Sequence, residues 1–91
     1  MSVKVRIPSQ LRSLAGGASE VDLEGTTVGE VLKALDVAHP GFQGRLFDDG
    51  GALRRFVNVF VAEEDVRFLQ GLDTELASGQ TVSIVPAVAG G

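Results

Sequence analysis

With 91 residues, of which 44% are hydrophobic, the chain is long enough for one domain with one core. It has no cysteine and one histidine, which excludes disulfides, thiol nucleophiles, cysteine-ligated metals and multi-histidine metal sites. The formal net charge of −4 argues against nucleic acid as a partner and favours docking on a basic protein surface.

The sequence also predicts where the protein works. No apolar run is long enough to cross a membrane, and the N-terminus lacks the basic and apolar regions of a signal peptide. We therefore expect a cytoplasmic protein with no membrane partner. The acidic runs at 48–49 and 63–65 are typical of solvated turns, so we predict no metal site.

The first two predicted strands form a hairpin. Apolar and charged residues alternate from residue 2 to residue 8, which predicts a strand with one solvated face. A short helical turn is one reading of residues 10–14, and Gly16 and Gly17 indicate a turn. The alternation returns over residues 19–24, so we expect the two strands to pair antiparallel.

One long helix is predicted after this hairpin. Thr27, followed three residues later by Glu30, fits a capping box at the helix start. Four apolar residues recur at helical spacing and form one stripe: Val28, Val31, Leu32 and Leu35. The helix should end near Ala38, because the residue before Pro40 avoids the helical region.

Three further strands are predicted after the helix. Residues 42–47 should form a short helical turn that places Phe42 and Leu46 in the core. Alternation over residues 53–61 predicts a strand, and Val66 with Phe68 is interpreted as a returning strand. The last strand starts near Val82 and should stop at Pro86, which lacks the N–H that a sheet ladder needs.

The order of strand, strand, helix and three strands predicts an α+β fold. A right-handed crossover would bring the last strand beside the first in parallel, which is the β-grasp or ubiquitin-like arrangement. We expect a mixed sheet of four to five strands on one main helix over residues 1–86. Residues 87–91 should form a free, flexible tail, because Val88 alone cannot repay the roughly 1–2 kcal/mol per residue that ordering costs.

The predicted core lies between the sheet and the helix. It comprises Val5, Ile7, Val21, Leu23, Val31, Leu32, Leu35, Val57, Val59, Val82 and Ile84. If Val57 and Val59 face the core, Phe56 and Phe60 lie on the opposite face of their strand. Two interpretations of Phe60 stay open: a core aromatic, or part of an apolar docking patch together with Val85.

The chain resembles the ThiS/MoaD group of sulfur carriers, whose C-termini end in Gly-Gly. The resemblance spans nearly the whole chain and rests on Thr-Val-Gly-Glu-Val-Leu at 27–32, His-Pro-Gly at 39–41 and Arg-Phe-Val-Asn-Val at 55–59. Within the group, residues 64–68 and 86–91 are most similar to the CysO-like branch of cysteine biosynthesis. Molybdopterin-synthase small subunits more often have Pro-Pro where this chain has Pro-Ala.

The resemblance implies a carrier protein that is not itself an enzyme and binds no cofactor. An adenylating partner, related to ubiquitin-activating enzymes, would use ATP and magnesium to activate the carboxylate of Gly91. A sulfur donor would then leave a thiocarboxylate there, and Gly90 would let the tail pass through a narrow channel. A sulfur-accepting biosynthetic enzyme and a metalloprotease that trims the C-terminus are the other implied partners. Partner contacts are predicted for Phe60, Val85, Pro86, Ala87, Val88 and Ala89.

Two classes of function remain open. A sulfur carrier could serve cysteine, 2-thiosugar, molybdopterin or thiamine synthesis, whereas a ubiquitin-like modifier would be joined through Gly91 to lysines of target proteins. Both need adenylation, so the tail does not separate them. A terminal Gly-Gly taken alone also fits a frayed end of an inert binding module.

Overall fold

The structure is a computed structural model, and it describes residues 2–54 and 57–86. A mixed five-stranded sheet of order β2-β1-β5-β3-β4 packs on helix α1. The strands are β1 (Ser2–Arg6), β2 (Glu20–Glu24), β3 (Val57–Val61), β4 (Glu64–Asp65) and β5 (Thr81–Pro86). The helices are α1 (Val28–Ala38) and the short α2 (Gln43–Leu46). Three-ten helices cover Ser9–Ala15, Val66–Phe68 and Gly71–Asp73.

The strand pairing confirms the predicted β-grasp topology. β1 pairs antiparallel with β2 and parallel with β5, and β5 pairs antiparallel with β3. The crossover through α1 is what allows the last strand to lie parallel to the first. Within the residues that the structure describes, no helix has both the length and the apolar character that membrane crossing requires.

The core matches the alternation and the helical stripe. All four stripe residues of α1 are fully buried, as are Phe42 and Leu46. Of the predicted core residues, only Val21 and Leu23 are half-buried, because β2 is an edge strand that the helix covers incompletely. The predicted strand at 53–61 begins only at Val57; Leu53 instead forms an isolated bridge with Phe47, and positions 55 and 56, including Phe56, lie outside the described residues.

The predicted returning strand through Val66 and Phe68 is wrong. Only Glu64 and Asp65 pair with β3, and the chain then enters a three-ten turn. The Asp65 carboxylate accepts a hydrogen bond from the backbone N–H of Arg67 at 2.8 Å, and such local bonds compete with a sheet ladder. The turn buries Val66 and leaves Phe68 86% exposed, whereas a regular strand would place both on one face.

Thr27 is the N-cap of α1, as the capping-box motif predicts, and only the bond to the Glu30 carboxylate comes from a different residue. The backbone N–H of Glu30 donates to Oγ1 of Thr27 at 3.2 Å, as in a capping box. The Glu30 carboxylate, however, accepts from the backbone N–H and the hydroxyl of Thr26, both at 2.8 Å. These bonds from Thr26, the backbone N–H first, hold the pKa of Glu30 below its ordinary value.

Replacing Glu30 should therefore change how stability depends on pH. A carboxyl group whose pKa is lower in the folded state adds stability above its unfolded pKa, which is about 4.3. That stability is lost as the pH falls through the lower folded-state pKa. We expect Glu30→Gln to be less stable than the wild type near neutral pH, and the difference to shrink in acid.

Urea unfolding at a series of pH values below and above 4.3 measures this difference. Thr26→Val serves as the control, because it removes the hydroxyl donor and keeps the backbone N–H. It should therefore reproduce only part of the effect. Parallel pH profiles for the wild type and Glu30→Gln would contradict the assignment.

The turn between β3 and β4 has an unfavourable backbone conformation. Ala62 and Glu63 have φ angles of 52° and 70°, in the left-handed region. Two central residues of positive φ define the tight hairpin turn that prefers Asn-Gly. For residues with a side chain this conformation costs roughly 1–2 kcal/mol each.

We expect the double substitution Ala62→Asn with Glu63→Gly to raise the free energy of unfolding by about 1 kcal/mol, since relief of strain outweighs the added flexibility of glycine. Thermal or urea denaturation measures the gain. Glu64→Gly, one residue further in β4, is the matched control and should lower stability, because glycine weakens a strand. A double variant no more stable than the wild type would show that the turn is unstrained.

Candidate partner-binding surface

The face of the sheet turned away from α1, called the outer face below, holds the candidate site. The valines of β3 are buried against the helix, so Asn58 and Phe60 lie on the outer face. Phe60 is half-buried and is not part of the core cluster, which decides between its two interpretations in favour of the surface. What binds there remains a prediction.

An apolar strip runs across β3 and β5 on this face. Phe60 lies opposite Ser83, and Asn58 lies opposite Val85. Phe60 and Val85 are therefore diagonal neighbours on one face, at a typical Cα separation of about 7–8 Å. Val85 is 44% exposed, and it directly precedes Pro86, the last residue of β5. The strip thus lies where the chain leaves the sheet.

Charged residues occupy the other half of the outer face. Lys4 and Arg6 of β1 lie opposite Asp22 and Glu20 of β2. Arg6 Nε is 3.2 Å from Glu20 Oε2, and Lys4 Nζ is 4.0 Å from Glu20 Oε1. These pairs are exposed, so they contribute little to stability. They make the region beside the apolar strip polar and partly neutralised.

Arg67 occupies the opposite margin of the apolar strip. Its Nη1 donates to Asn58 Oδ1 at 2.7 Å, and its Nη2 donates to the backbone carbonyls of Arg54 and Val57, both at 2.8 Å. β4 pairs with β3 at Phe60 and Val61, and the Arg67 guanidinium bonds β3 on the same margin at Val57 and Asn58. The side chain thus continues the edge where the strand ends.

The structure places only part of the predicted site. Val85 and Pro86 lie at the end of β5, and Phe60 lies opposite Ser83, diagonal to Val85 and further from Pro86. Ala87, Val88, Ala89, Gly90 and Gly91 lie outside the described residues, so the free tail stays a prediction. Sequence reasoning missed Asn58 and Arg67 as neighbours of the strip. Alternation placed Asn58 on the face of Phe60, but no periodicity pairs it with Arg67.

Two observations concern the acidic and the buried polar side chains of the described residues. Within residues 2–54 and 57–86, no three His, Asp or Glu side chains are grouped in a way that could hold a metal ion. Across the same residues every buried side-chain nitrogen or oxygen has a hydrogen-bond partner.

Comparison with known proteins identifies the family. The sequence model of the ThiS family matches residues 5–91. The chain belongs to the ThiS family. It is 47% identical to the sulfur carrier protein CysO of Mycobacterium tuberculosis over 93 residues, covering the whole of both chains. It is also 37% identical to small archaeal modifier protein 3 of Haloferax volcanii over 94 residues, again covering both completely.

A solved structure agrees with the fold. A chain in the crystal structure of the Amycolatopsis orientalis BexX/CysO complex matches with a TM-score of 0.91 and 45% identity, covering 98% of this chain and 99% of that chain. The predicted ubiquitin-like β-grasp fold, the ThiS/MoaD resemblance and its CysO-like branch are all confirmed.

Truncating Phe60 should separate docking from folding. We expect Phe60→Ala to weaken binding to an adenylating partner by roughly tenfold or more, as for a central aromatic anchor, with little loss of stability. Titration calorimetry and a melting curve measure the two effects. Val37→Ala is the matched surface control, because Val37 is 82% exposed on α1, on the other side of the sheet.

A second control fixes the scale of a core loss. Phe42→Ala removes a fully buried aromatic and should destabilise by about 3–5 kcal/mol. If Phe60→Ala melts like Phe42→Ala while the affinity per folded molecule is unchanged, the role of Phe60 is structural and the docking prediction fails.

Proposed function

We propose that this chain is a ubiquitin-like sulfur carrier whose C-terminal Gly91 is adenylated by a partner enzyme, converted to a thiocarboxylate and used as a sulfur source in biosynthesis. The full-length 47% identity to a protein named as the sulfur carrier CysO carries the proposal. The family match runs through residue 91, so it includes the Gly-Gly end. The chain itself is a substrate of enzymes and not a catalyst.

The proposed chemistry activates a carboxylate, which is a poor electrophile. An oxygen of the Gly91 carboxylate attacks the α-phosphorus of ATP, and pyrophosphate leaves. A sulfide equivalent then attacks the carbonyl carbon of the acyl-adenylate; the C–S bond forms, the C–O bond to AMP breaks, and the thiocarboxylate remains. The partner supplies ATP and magnesium. Sulfur held in this way stays on a recognisable protein and is not released as sulfide.

The domain and the tail have separate tasks in this proposal. Residues 1–86 form the body that docks, and the apolar strip of Phe60 and Val85 supplies binding energy away from the reacting atom. Residues 87–91 have the task of carrying Gly91 into the partner's channel. Docking converts the meeting of Gly91 and ATP into an intramolecular event, which accelerates the step. Use of ATP fits the expected cytoplasmic location.

The remaining partners receive the product. The identity to CysO favours cysteine synthesis over thiosugar, molybdopterin or thiamine synthesis. The Amycolatopsis orientalis CysO was solved in a complex with BexX, which supports docking of this carrier on a partner protein; we propose that one such partner accepts the sulfur. A metalloprotease that trims the C-terminus completes the proposed set of partners.

A protein modifier is the second candidate function. The 37% identity to small archaeal modifier protein 3 favours it. In this case an amine of a target lysine would attack the acyl-adenylate, AMP would leave, and an isopeptide bond would form. Intact-mass analysis of protein from its own host separates the two: an oxygen-to-sulfur exchange at the terminus indicates a carrier, and lysine-linked adducts indicate a modifier.

Deleting Gly90 and Gly91 tests the proposal directly. We expect the truncated chain to keep its melting temperature and to lose ATP–pyrophosphate exchange with the cognate adenylating enzyme. Extending the chain by one tryptophan should do the same, because a bulky residue blocks a channel shaped for glycine. Val37→Ala is again the control and should exchange like the wild type. Undiminished exchange by the truncated chain would end the carrier proposal and the modifier alternative together.

A further inference from the structure

The edge of β3 that faces away from β5 is bonded by β4 at its C-terminal end and by the Arg67 side chain at its start. β4 is only two residues long and pairs with Phe60 and Val61. At Val57 the backbone N–H donates to the Arg54 carbonyl at 3.0 Å, and the Val57 carbonyl accepts from Arg67. Both backbone groups of Val57 are therefore bonded away from β5. This edge of β3 is organised by Arg67.

The residues that Arg67 holds are opposite the last residues of β5. Val57 lies opposite Pro86, and Asn58 lies opposite Val85. Arg67 bonds the carbonyl of the first and the side-chain amide of the second. The position of Pro86, after which the tail begins, therefore depends on a β3 segment fixed by one guanidinium group.

We propose that Arg67 is a positioning residue: by bonding Arg54, Val57 and Asn58 it fixes Pro86, the last residue of β5, relative to the apolar strip. The proposal rests on the sulfur-carrier function proposed above. Docking through Phe60 and Val85 places the body on the partner, and Arg67 then determines where Gly91 arrives. Once the partner's channel holds the tail, a shift of Pro86 relative to the strip displaces Gly91 as well, and misplacement of about 1 Å can reduce a rate about a hundredfold.

The short segment that carries Arg67 is shaped for this task. Asp65 accepts from the backbone N–H of Arg67 at 2.8 Å, and the neighbouring Val66 is completely buried. The backbone of Arg67 is thus anchored on its N-terminal side while its side chain crosses to β3. The Asp65 cap explains both why residues 66–68 form a turn and not the predicted strand, and why Arg67 is held where it contacts β3.

The chemistry requires arginine at this position. The planar guanidinium presents several N–H groups in fixed directions, so one nitrogen can serve two carbonyls while the other serves the Asn58 amide oxygen. A lysine ammonium keeps the charge but is a compact point donor that lacks this geometry. Arg67→Lys therefore removes the positioning and keeps the charge.

The test compares docking with the adenylation step. We expect Arg67→Lys to bind the adenylating enzyme within about twofold of the wild type, while kcat for ATP–pyrophosphate exchange falls about 10- to 100-fold. Asn58→Ala should lower kcat less, and the double variant should not be additive. Arg45→Lys, on α2, is the matched control and should change neither value.

A second readout does not depend on the proposed function. In Arg67→Lys we expect faster hydrogen exchange at the amides of Asn58 and Val85, with unchanged exchange in α1. Unchanged exchange at these amides would overturn the positioning role of Arg67. A wild type that is never adenylated would instead refute only the carrier function. Weaker docking with unchanged kcat would also overturn it, because Arg67 would then be a direct partner contact.

Discussion

The parallel pairing of β1 with β5 is the constraint on which the rest of the structure depends. Lys4, Val5 and Arg6 lie beside Thr81, Val82 and Ser83, and these registers join the two ends of the described chain in the middle of the sheet. Parallel strands need a long crossover, which α1 and the segments after it supply. Because Val5 and Val82 are both buried, a slip by one residue would expose the core face of the last strand.

Periodicity made most of the fold predictable. The four stripe residues of α1 and the alternating valines of β3 are buried as the sequence predicts, because burial follows local periods of 3.6 and 2. The errors arose where a polar side chain bonds nearby backbone. The Asp65 carboxylate accepts from the N–H of Arg67, so a turn forms where a strand was predicted. The Glu30 carboxylate accepts from Thr26, whereas the capping motif predicts that it accepts from Thr27. Such bonds depend on side-chain direction, which the pattern of apolar residues does not encode.

Only the part of the candidate site that lies on regular strands could be predicted from the sequence. Alternation put Phe60 on the outer face, and the register with β5 adds Val85 beside it. Arg67 lies nine residues from Asn58 and 13 from Arg54 along the chain, and no periodicity connects them. Only the folded arrangement shows that a charged residue of an irregular turn supports β3 opposite the last residues of β5.

The orientation of Val57 has a consequence for distance. Val57 turns both its backbone groups away from β5, so Pro86 opposite it has no ladder bond to lose. β5 ends at Pro86, so the distance that the following residues can span is measured from Pro86. Five residues follow it in the sequence, and five extended residues reach at most about 17 Å. An enzyme that acts on Gly91 as proposed has to hold its reacting atoms within that distance of the end of β5, which sets an upper limit on the depth of its channel.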